Sequence, residues 1–516
     1  MKKITALILV LLMSGMLMFS CNGNSGDTSS TNQQSQSSTT SKTPESSTDD
    51  TSNSTNDDPK LNLPNKKFDV TLNMTVQCTE EGRENNYRSF EFWSDEETAD
   101  AVNVATTARS RWLEDTYGIK LKMTYTKELT DPVKDAILAI ETDGTLDIIA
   151  TGSLELGKVA ANGYFYDYNE LNSKFNGGKG WINLEAPWWD QTCISDLSLT
   201  HKTFFITGDI CVSDDEATWA MFFNKDMIDQ YKMKSPYKMV EDNEWTLDSM
   251  YEMAKKVTHK SGENFNFDPS TEDKWGLMVQ GYDGLMFMQG CQQRMVQKNS
   301  DDIPSYRVKD EQNINAFQKI SKIMLDEDVV CFADFYEGWQ TAYETEAKIF
   351  TNGKALFMPN TIGRVNSPDF RTSDVKYGIV PMPKYSAEQE EYASSSTMYW
   401  MTLVAVPLSN TKNLEATCVA LEALAWYGRE KVTPAFYEKV LKAQRFDDPD
   451  SEKMLDLVFR QRAYDLSILF NWGDIVQLYT SSIGSKKPNL VSSFDTKEPI
   501  YQQKMDETIA AFKAID

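Results

Sequence analysis

Apolar and polar residues alternate from Phe68 through Val70, Leu72 and Met74 to Val76, the period of a half-buried strand. The period then lengthens. Val102, Ala105, Ala108 and Trp112 recur at helical spacing and predict a helix over about Glu97 to Tyr117, with Gly118 placed to cap its C-terminus. Ile119, Leu121, Met123 and Tyr125 alternate again as a second strand. Asp131-Pro132 supplies N-cap and first-turn residues for a helix ending near Asp143-Gly144, and Leu146-Asp147-Ile148-Ile149-Ala150 reads as a short apolar strand. Strand, helix, strand, helix, strand in this order predicts an α/β fold with a parallel sheet covered by helices. The C-terminal ends of such strands face the crevice where open α/β sheets bind ligands.

Mixed patterning continues downstream. Thr246 caps a helix to about Thr258, Asn313 to Leu325 is helical by period, and Tyr377-Gly378-Ile379-Val380 is a strand stopped by Pro381. From about Leu414 onward helices prevail, including Ser451 to Tyr464 and a terminal helix from Pro499 to Ala514. Pro499 suits the first helical position, where its missing N–H costs nothing. No internal repeat is present.

The N-terminus has a different character. Lys2 and Lys3 precede an apolar stretch from Ile4 to Phe19, then Ser20 and Cys21, the layout of a secretory signal peptide. A cysteine directly after the small residue resembles the bacterial lipoprotein signal, with Met18 standing where that pattern usually has Leu. The resemblance implies cleavage before Cys21 and diacylation of its thiol. The chain would then be anchored at the extracellular face of the cell membrane, or in the periplasm where an outer membrane exists. From Asn22 to about Lys60 the residues are almost all Ser, Thr, Asn, Gln and Asp. That composition cannot bury enough apolar surface to offset ordering, so a disordered tether with a root-mean-square span of about 35 Å is expected. No second long apolar run follows, so nothing in the mature chain is expected to span a membrane.

Bulk composition narrows the function. Residues 61–516 are too many for one small core and suit two lobes. The net charge of −25 becomes more negative once Lys2 and Lys3 are removed, which argues against nucleic-acid partners. Beyond Cys21, the cysteines Cys78, Cys193, Cys211, Cys291, Cys331 and Cys418 are widely spaced with no CxxC, and free buried thiols are expected. His201 and His259 are the only histidines and stand far apart, which removes a His-based zinc site or a Ser-His-Asp triad. Neither GxGxxG nor a P-loop occurs, and no cofactor is expected.

An ordered series of short motifs is more specific. Gly208-Asp209-Ile210 precedes Met221-Phe222-Phe223-Asn224-Lys225, Trp245-Thr246-Leu247, Trp275-Gly276-Leu277 and Gly353-Lys354-Ala355-Leu356-Phe357. Tyr377 to Lys384 and Val432-Thr433-Pro434-Ala435-Phe436-Tyr437 follow. From Phe68 to Asp516 their order and spacing resemble the maltose-binding-like extracellular solute-binding proteins of carbohydrate ABC importers. The resemblance implies a two-lobed periplasmic-binding-protein fold, a hinge crossed more than once, and a monomer that closes on a sugar and meets transporter permease subunits. It implies a first lobe of about 68–214 plus 401–455 and a second of about 215–400 plus 456–516. Relatives often carry a calcium-binding loop before the Trp-Gly-Leu strand. Here Lys260 to Asp268 lacks alternating Asp ligands, so no metal is expected.

A sugar presents apolar C–H faces and a rim of hydroxyls, and calls for aromatic rings beside carboxylates, amides or Arg. Glu155 follows the Ile148-Ile149 strand, where the family supplies polar sugar contacts. Asn360 to Arg364 follows Ala355-Leu356-Phe357, with Thr361 and Ile362 where relatives often stack a Trp; Arg364 either bonds ligand hydroxyls or pairs with a lobe carboxylate. Tyr399-Trp400 lies at an expected hinge crossing. Asn471-Trp472 lies in a glycine-bounded break where relatives supply another stacking ring, and Trp93 follows an acidic, aromatic-rich loop. Asp209 and Glu216 flank the first crossing as ligand contacts or hinge caps. Two other readings compete: a sensory or peptide-binding lipoprotein on the same scaffold, and an extracellular glycosidase built on a carboxylate pair.

Overall fold

The computed structural model describes residues 60–77, 92–126, 146–160, 162–262, 270–335, 342–397, 401–443, 449–485 and 487–515. In chain order the strands are β1 (Val70–Gln77), β2 (Ile119–Thr126), β3 (Ile148–Gly152), β4 (Trp219–Asn224), β5 (Trp275–Val279), β6 (Val296–Lys298), β7 (Pro304–Tyr306), β8 (Val330–Phe332), β9 (Ala355–Thr361), β10 (Tyr377–Val380), β11 (Ser394–Ser395), β12 (Thr402–Ala405) and β13 (Arg462–Ala463).

Two sheets organise the chain. The first has the order β12-β3-β1-β2. β1 pairs in parallel with β2 from Val70 opposite Ile119, and with β3 from Met74 opposite Ile148, as the alternating patterns predict. β12 returns from far along the chain to close the edge antiparallel to β3. The second sheet has the order β10-β4-β9-β5-β8, with β5, β8 and β9 mutually parallel and β4 and β10 reversing around them. β4 is buried along its whole length. Its Met221 and Phe223 join the core beneath one face, and its Ala220 and Phe222 join the core on the other, as a period of two requires.

The chain crosses between the sheets more than once. It leaves the first through 207–218, with Ile206 bridged to Val404, and enters β4. It returns after Ser396, bridged to Thr218, into β12. Helix Leu414–Tyr427 packs into the first-sheet core, and Val432 and Phe436 then join a second-sheet core. Helix Pro449–Arg460 packs on β10 and on helix Pro236–Glu241, so the expected lobe boundary near 455 falls within an element of the second sheet. Helix Leu466–Phe470 packs on helix Ser153–Ala160, which directly follows β3. Residues 58–516 form one compact unit.

Three expectations need correction. The first helix is Ala101–Tyr117, because Asp100 accepts the Val102 and Asn103 N–H groups and fixes the start. Its buried face runs through Val102, Thr106, Arg109, Ser110, Leu113 and Tyr117, not along the purely apolar stripe. Arg109 can face inward because its guanidinium donates to the carbonyls of Ile210 (2.9 Å), Leu424 (3.2 Å) and Phe92 (3.3 Å). The helix expected to reach Tyr464 stops at Arg460, since Arg462 and Ala463 pair in parallel with Ser394 and Ser395. The terminal helix is Leu490–Ala514 with Pro499 inside it. The interior-proline cost of about 3 kcal/mol is opposed by burial of Leu490, Phe494, Tyr501, Met505 and Phe512 on both sides of the proline.

The helix expected after Asp131 lies outside the described residues. Among the described residues no helix is long and apolar enough to cross a membrane, and Cys193, Cys211, Cys291, Cys331 and Cys418 are buried free thiols.

Candidate functional site

β5, β8 and β9 run parallel and end on the same side of the second sheet, so the residues that follow them share one edge. β5 leads into Gln280, the N-cap of helix Gly281–Gly290; its N–H donates to Asp283 Oδ2 at 2.8 Å. β8 leads to Asp334, whose Oδ2 accepts the Gly281 N–H at 2.8 Å. β9 ends in Asn360 and Thr361 and turns through Ile362–Asn366, which carries Arg364. The antiparallel β4 starts at this edge with Trp219, three residues after Glu216, where the short helix Ser213–Glu216 ends.

The chemistry gathered here is mixed. Asp283 hydrogen-bonds Glu346, from helix Ala342–Thr351, and the Gln280 amide donates to Glu346 Oε2 at 3.4 Å. Both carboxyls are fully buried, and burial holds each well above the usual carboxylate range; the neighbouring Asp283 charge pushes Glu346 further the same way. Two buried carboxyls in contact share a proton, because both cannot ionise in low dielectric. Arg364 is buried with its guanidinium carbon 4.5 Å from the Tyr343 ring centroid and Nη2 3.5 Å from Asp369. Trp219 and Tyr282 sit with ring centroids 5.5 Å apart.

Between these groups lie hydrogen-bonding atoms left over by the fold. Asn360 is fully buried; its Oδ1 accepts the Thr361 N–H at 2.9 Å, while its Nδ2 meets no partner among the described residues. The same holds for Thr361 Oγ1 and Trp219 Nε1. Buried polar atoms without partners are costly, and these donors and acceptors are of the kind that a ligand hydroxyl can satisfy. Glu216 Oε1 accepts the Asn366 amide at 3.2 Å, and the turn comes this close because Gly363 has no Cβ; one there would lie 3.0 Å from Glu216 Cβ.

The expected residues divide. Glu216, Asn360 and Arg364 come together at this edge. Asp209 lies on the crossing segment: Thr433 Oγ1 donates to it at 2.6 Å, Arg429 Nη1 stands 3.7 Å away, and burial raises its carboxyl to about 7. It thereby ties the segment before β4 to the one after helix Leu414–Tyr427. Glu155 lies on helix Ser153–Ala160 at the C-terminal end of β3, with its side chain outside the described atoms. Tyr399 and Trp400 lie outside the described residues.

The aromatic candidates Trp93 and Trp472 are buried in packing contacts away from this edge. Trp93 lies buried in the first-sheet core, and its indole N–H donates to Asp95 at 3.0 Å. Trp472 stacks on Phe470 (5.3 Å, 14° between planes) and donates to Thr508 Oγ1 at 2.9 Å. Asn471 is a turn residue in left-handed conformation, φ 43°, whose Oδ1 accepts the Val476 N–H at 3.1 Å.

Sequence reasoning passed over Trp219, Gln280, Tyr282, Asp283, Asp334 and Glu346. The first five carry a simple signal: they begin or follow strands of the second sheet, where the C-terminal ends of parallel strands gather ligand-facing residues. A glycosidase pair needs carboxyl groups about 5 Å or more apart, whereas Asp283 and Glu346 hydrogen-bond each other. Among the described residues no group of three or more His, Cys, Asp or Glu is arranged to hold a metal ion.

No protein-family model matches the sequence, and no curated protein matches it. Solved structures do. A sugar transporter from Rhizobium etli in an open conformation is 14% identical, with 87% of this chain and 100% of that one covered and a TM-score of 0.53. An ABC substrate-binding protein from Listeria monocytogenes in complex with cycloalternan is 12% identical over 86% of this chain and 99% of that one, TM-score 0.50. The galacto-N-biose/lacto-N-biose I-binding protein of the ABC transporter from Bifidobacterium longum, in complex with lacto-N-biose, is 10% identical over 86% and 98%, TM-score 0.50. Identity this low speaks to fold. The chain has the mixed α/β, two-lobed architecture of these binding proteins.

Proposed function

We propose that this chain is a lipid-anchored extracellular solute-binding protein that captures a sugar or oligosaccharide between its two lobes and delivers it to the permease subunits of an ABC transporter. The observation that carries this reading is the strand end Asn360-Thr361, whose buried, unpartnered amide and hydroxyl lie at the sheet edge that also holds Trp219 and the Asp283–Glu346 pair. Ring faces suit sugar C–H surfaces, and the leftover donors and acceptors suit hydroxyls. The named ligands of the solved relatives, cycloalternan and lacto-N-biose, are carbohydrates and add support. The ligand would bridge both lobes and so favour the closed state, because only closure lets one molecule use both sets of contacts.

A thermal-shift screen of the full chain against mono- and oligosaccharides, with oligopeptides as the contrasting set, tests the proposal. At least one carbohydrate is expected to raise the melting temperature with saturation. A shift by peptides and by no carbohydrate would transfer the protein to the peptide-binding reading. Turnover of a glycan would move it to the enzymes.

A further inference from the structure

We propose that Arg462 is a positioning residue of the hinge, and that it braces the crossing segments only while the aspartate cluster around it retains a proton. Asp190 caps helix Gln191–Leu197, which precedes the first crossing. Asp214 and Asp215 lie within that crossing, on the short helix before β4. Arg462 comes from β13, which pairs with β11 just ahead of the return crossing. Its guanidinium reaches all three carboxylates: Nη1 lies 2.6 Å from Asp215, Nε 3.0 Å from Asp190 and Nη2 3.4 Å from Asp214. Tyr464 adds a hydrogen bond, donating to Asp190 at 2.6 Å. One side chain thus joins three segments that are distant in sequence.

The charges do not balance. A single guanidinium faces three aspartates whose side chains are 10% exposed or less. Uncompensated charge in such a place is neutralised by protonation rather than carried. The surroundings do not change the sign. Asp209 and Asp215 from the crossing and Asp190 from the first lobe all press on Asp214, and Arg462 opposes them. Cys193, Cys211 and Tyr464 pack nearby as buried neutral groups, Arg429 faces Asp209, and Arg109 faces Cys211. Burial holds the Asp214 carboxyl well above the usual range and raises Asp215 as well. A carboxyl raised in the fold contributes stability that is complete on the acid side and is lost as pH rises through its folded value. Deprotonation therefore adds repulsion between the crossing segment and Asp190, and the hinge loosens.

Hydrogen exchange of backbone amides in 207–218, corrected for the intrinsic rate and measured on the full chain carrying Asp209→Asn, from about pH 4, near the free carboxylate value, to about 8.5, tests this, because Asp209 itself titrates at about 7 within the segment. This background is expected to lose protection with rising pH, by up to about tenfold per unit for one proton. Asp214→Asn is expected to keep the Arg462 contacts and flatten the dependence. Arg462→Met is expected to lower protection at every pH. A residue with only a structural role would lower stability without altering the slope. With Asp209→Asn as the background, a slope that Asp214→Asn leaves unchanged overturns the proposal. Should that variant fail to fold, pH-independent protection of 207–218 in wild type overturns it equally.

Discussion

A buried amide nitrogen without a partner costs about 1–3 kcal/mol, and Asn360 carries one at the end of β9. A ligand oxygen that accepts from it would recover that cost on binding. Asn360→Ala is therefore predicted to weaken the affinity for the cognate saccharide by about five- to a hundredfold, beyond the modest stability loss expected from losing the Thr361 N–H bond to Oδ1; calorimetry and a melting curve on one sample separate the two. Trp472→Ala should behave in the opposite way. Its ring stacks on Phe470 and its N–H is committed to Thr508, so truncation should cost about 3–5 kcal/mol of stability while the folded fraction binds normally. A strong loss of affinity at unchanged stability would restore Trp472 to the crevice. That Glu216, Asn360 and Arg364 lie at one sheet edge was legible because they adjoin recognisable strand motifs. Trp472 was not, since an aromatic in a glycine-bounded break looks the same whether its ring meets a ligand or a phenylalanine. The Asp283–Glu346 pair was hidden for another reason: among 77 acidic residues, nothing local says which two distant carboxyls will touch.

Elements show where local signals suffice and where packing overrules them. Gly118 follows its helix in the left-handed region, φ 64°, and a Cβ there would stand 2.8 Å from Asp69 Oδ1. Gly118→Ala is predicted to lower stability by about 1–2 kcal/mol, measurable by chemical denaturation. The helix was readable from this residue and from its period, yet its buried face was not, because Arg109 is satisfied by carbonyls from three remote segments. Pro499 read as a helix start because only the tertiary burial of Phe494 and Tyr501 shows that the helix passes through it. Helix Leu414–Tyr427 carries a second acid-side stabiliser. Glu422 is buried and raised to about 7, although it accepts the Trp189 indole N–H at 2.9 Å. Its neutral form is favoured in the fold, so its contribution is present in acid and lost as pH rises through 7. Glu422→Gln should reduce the fall in melting temperature between pH 5 and 8; an unchanged slope would place the titration elsewhere.

For the whole molecule, alternating strands and ordered motifs foretold two α/β lobes and repeated crossings, because sheets and their connections follow from periodicity and chain order. The candidate edge was less legible, since Trp219, Gln280, Glu346 and Asn360 come to it from segments far apart in sequence. Membrane attachment is a separate claim, resting on the order of basic, apolar and small residues before Cys21. Cys21→Ala is predicted to shift the protein from the membrane fraction to the medium, and retention by the membrane would remove the anchor. The central claim is capture of a carbohydrate at the edge formed by Trp219, Asn360 and their neighbours. Calorimetric titration of wild type and Asn360→Ala with the saccharide that most stabilises the chain tests it most directly. The account predicts one saturable site in wild type, without turnover, and weaker binding in the variant. Equal affinity in both, or no saccharide binding at all, would contradict it.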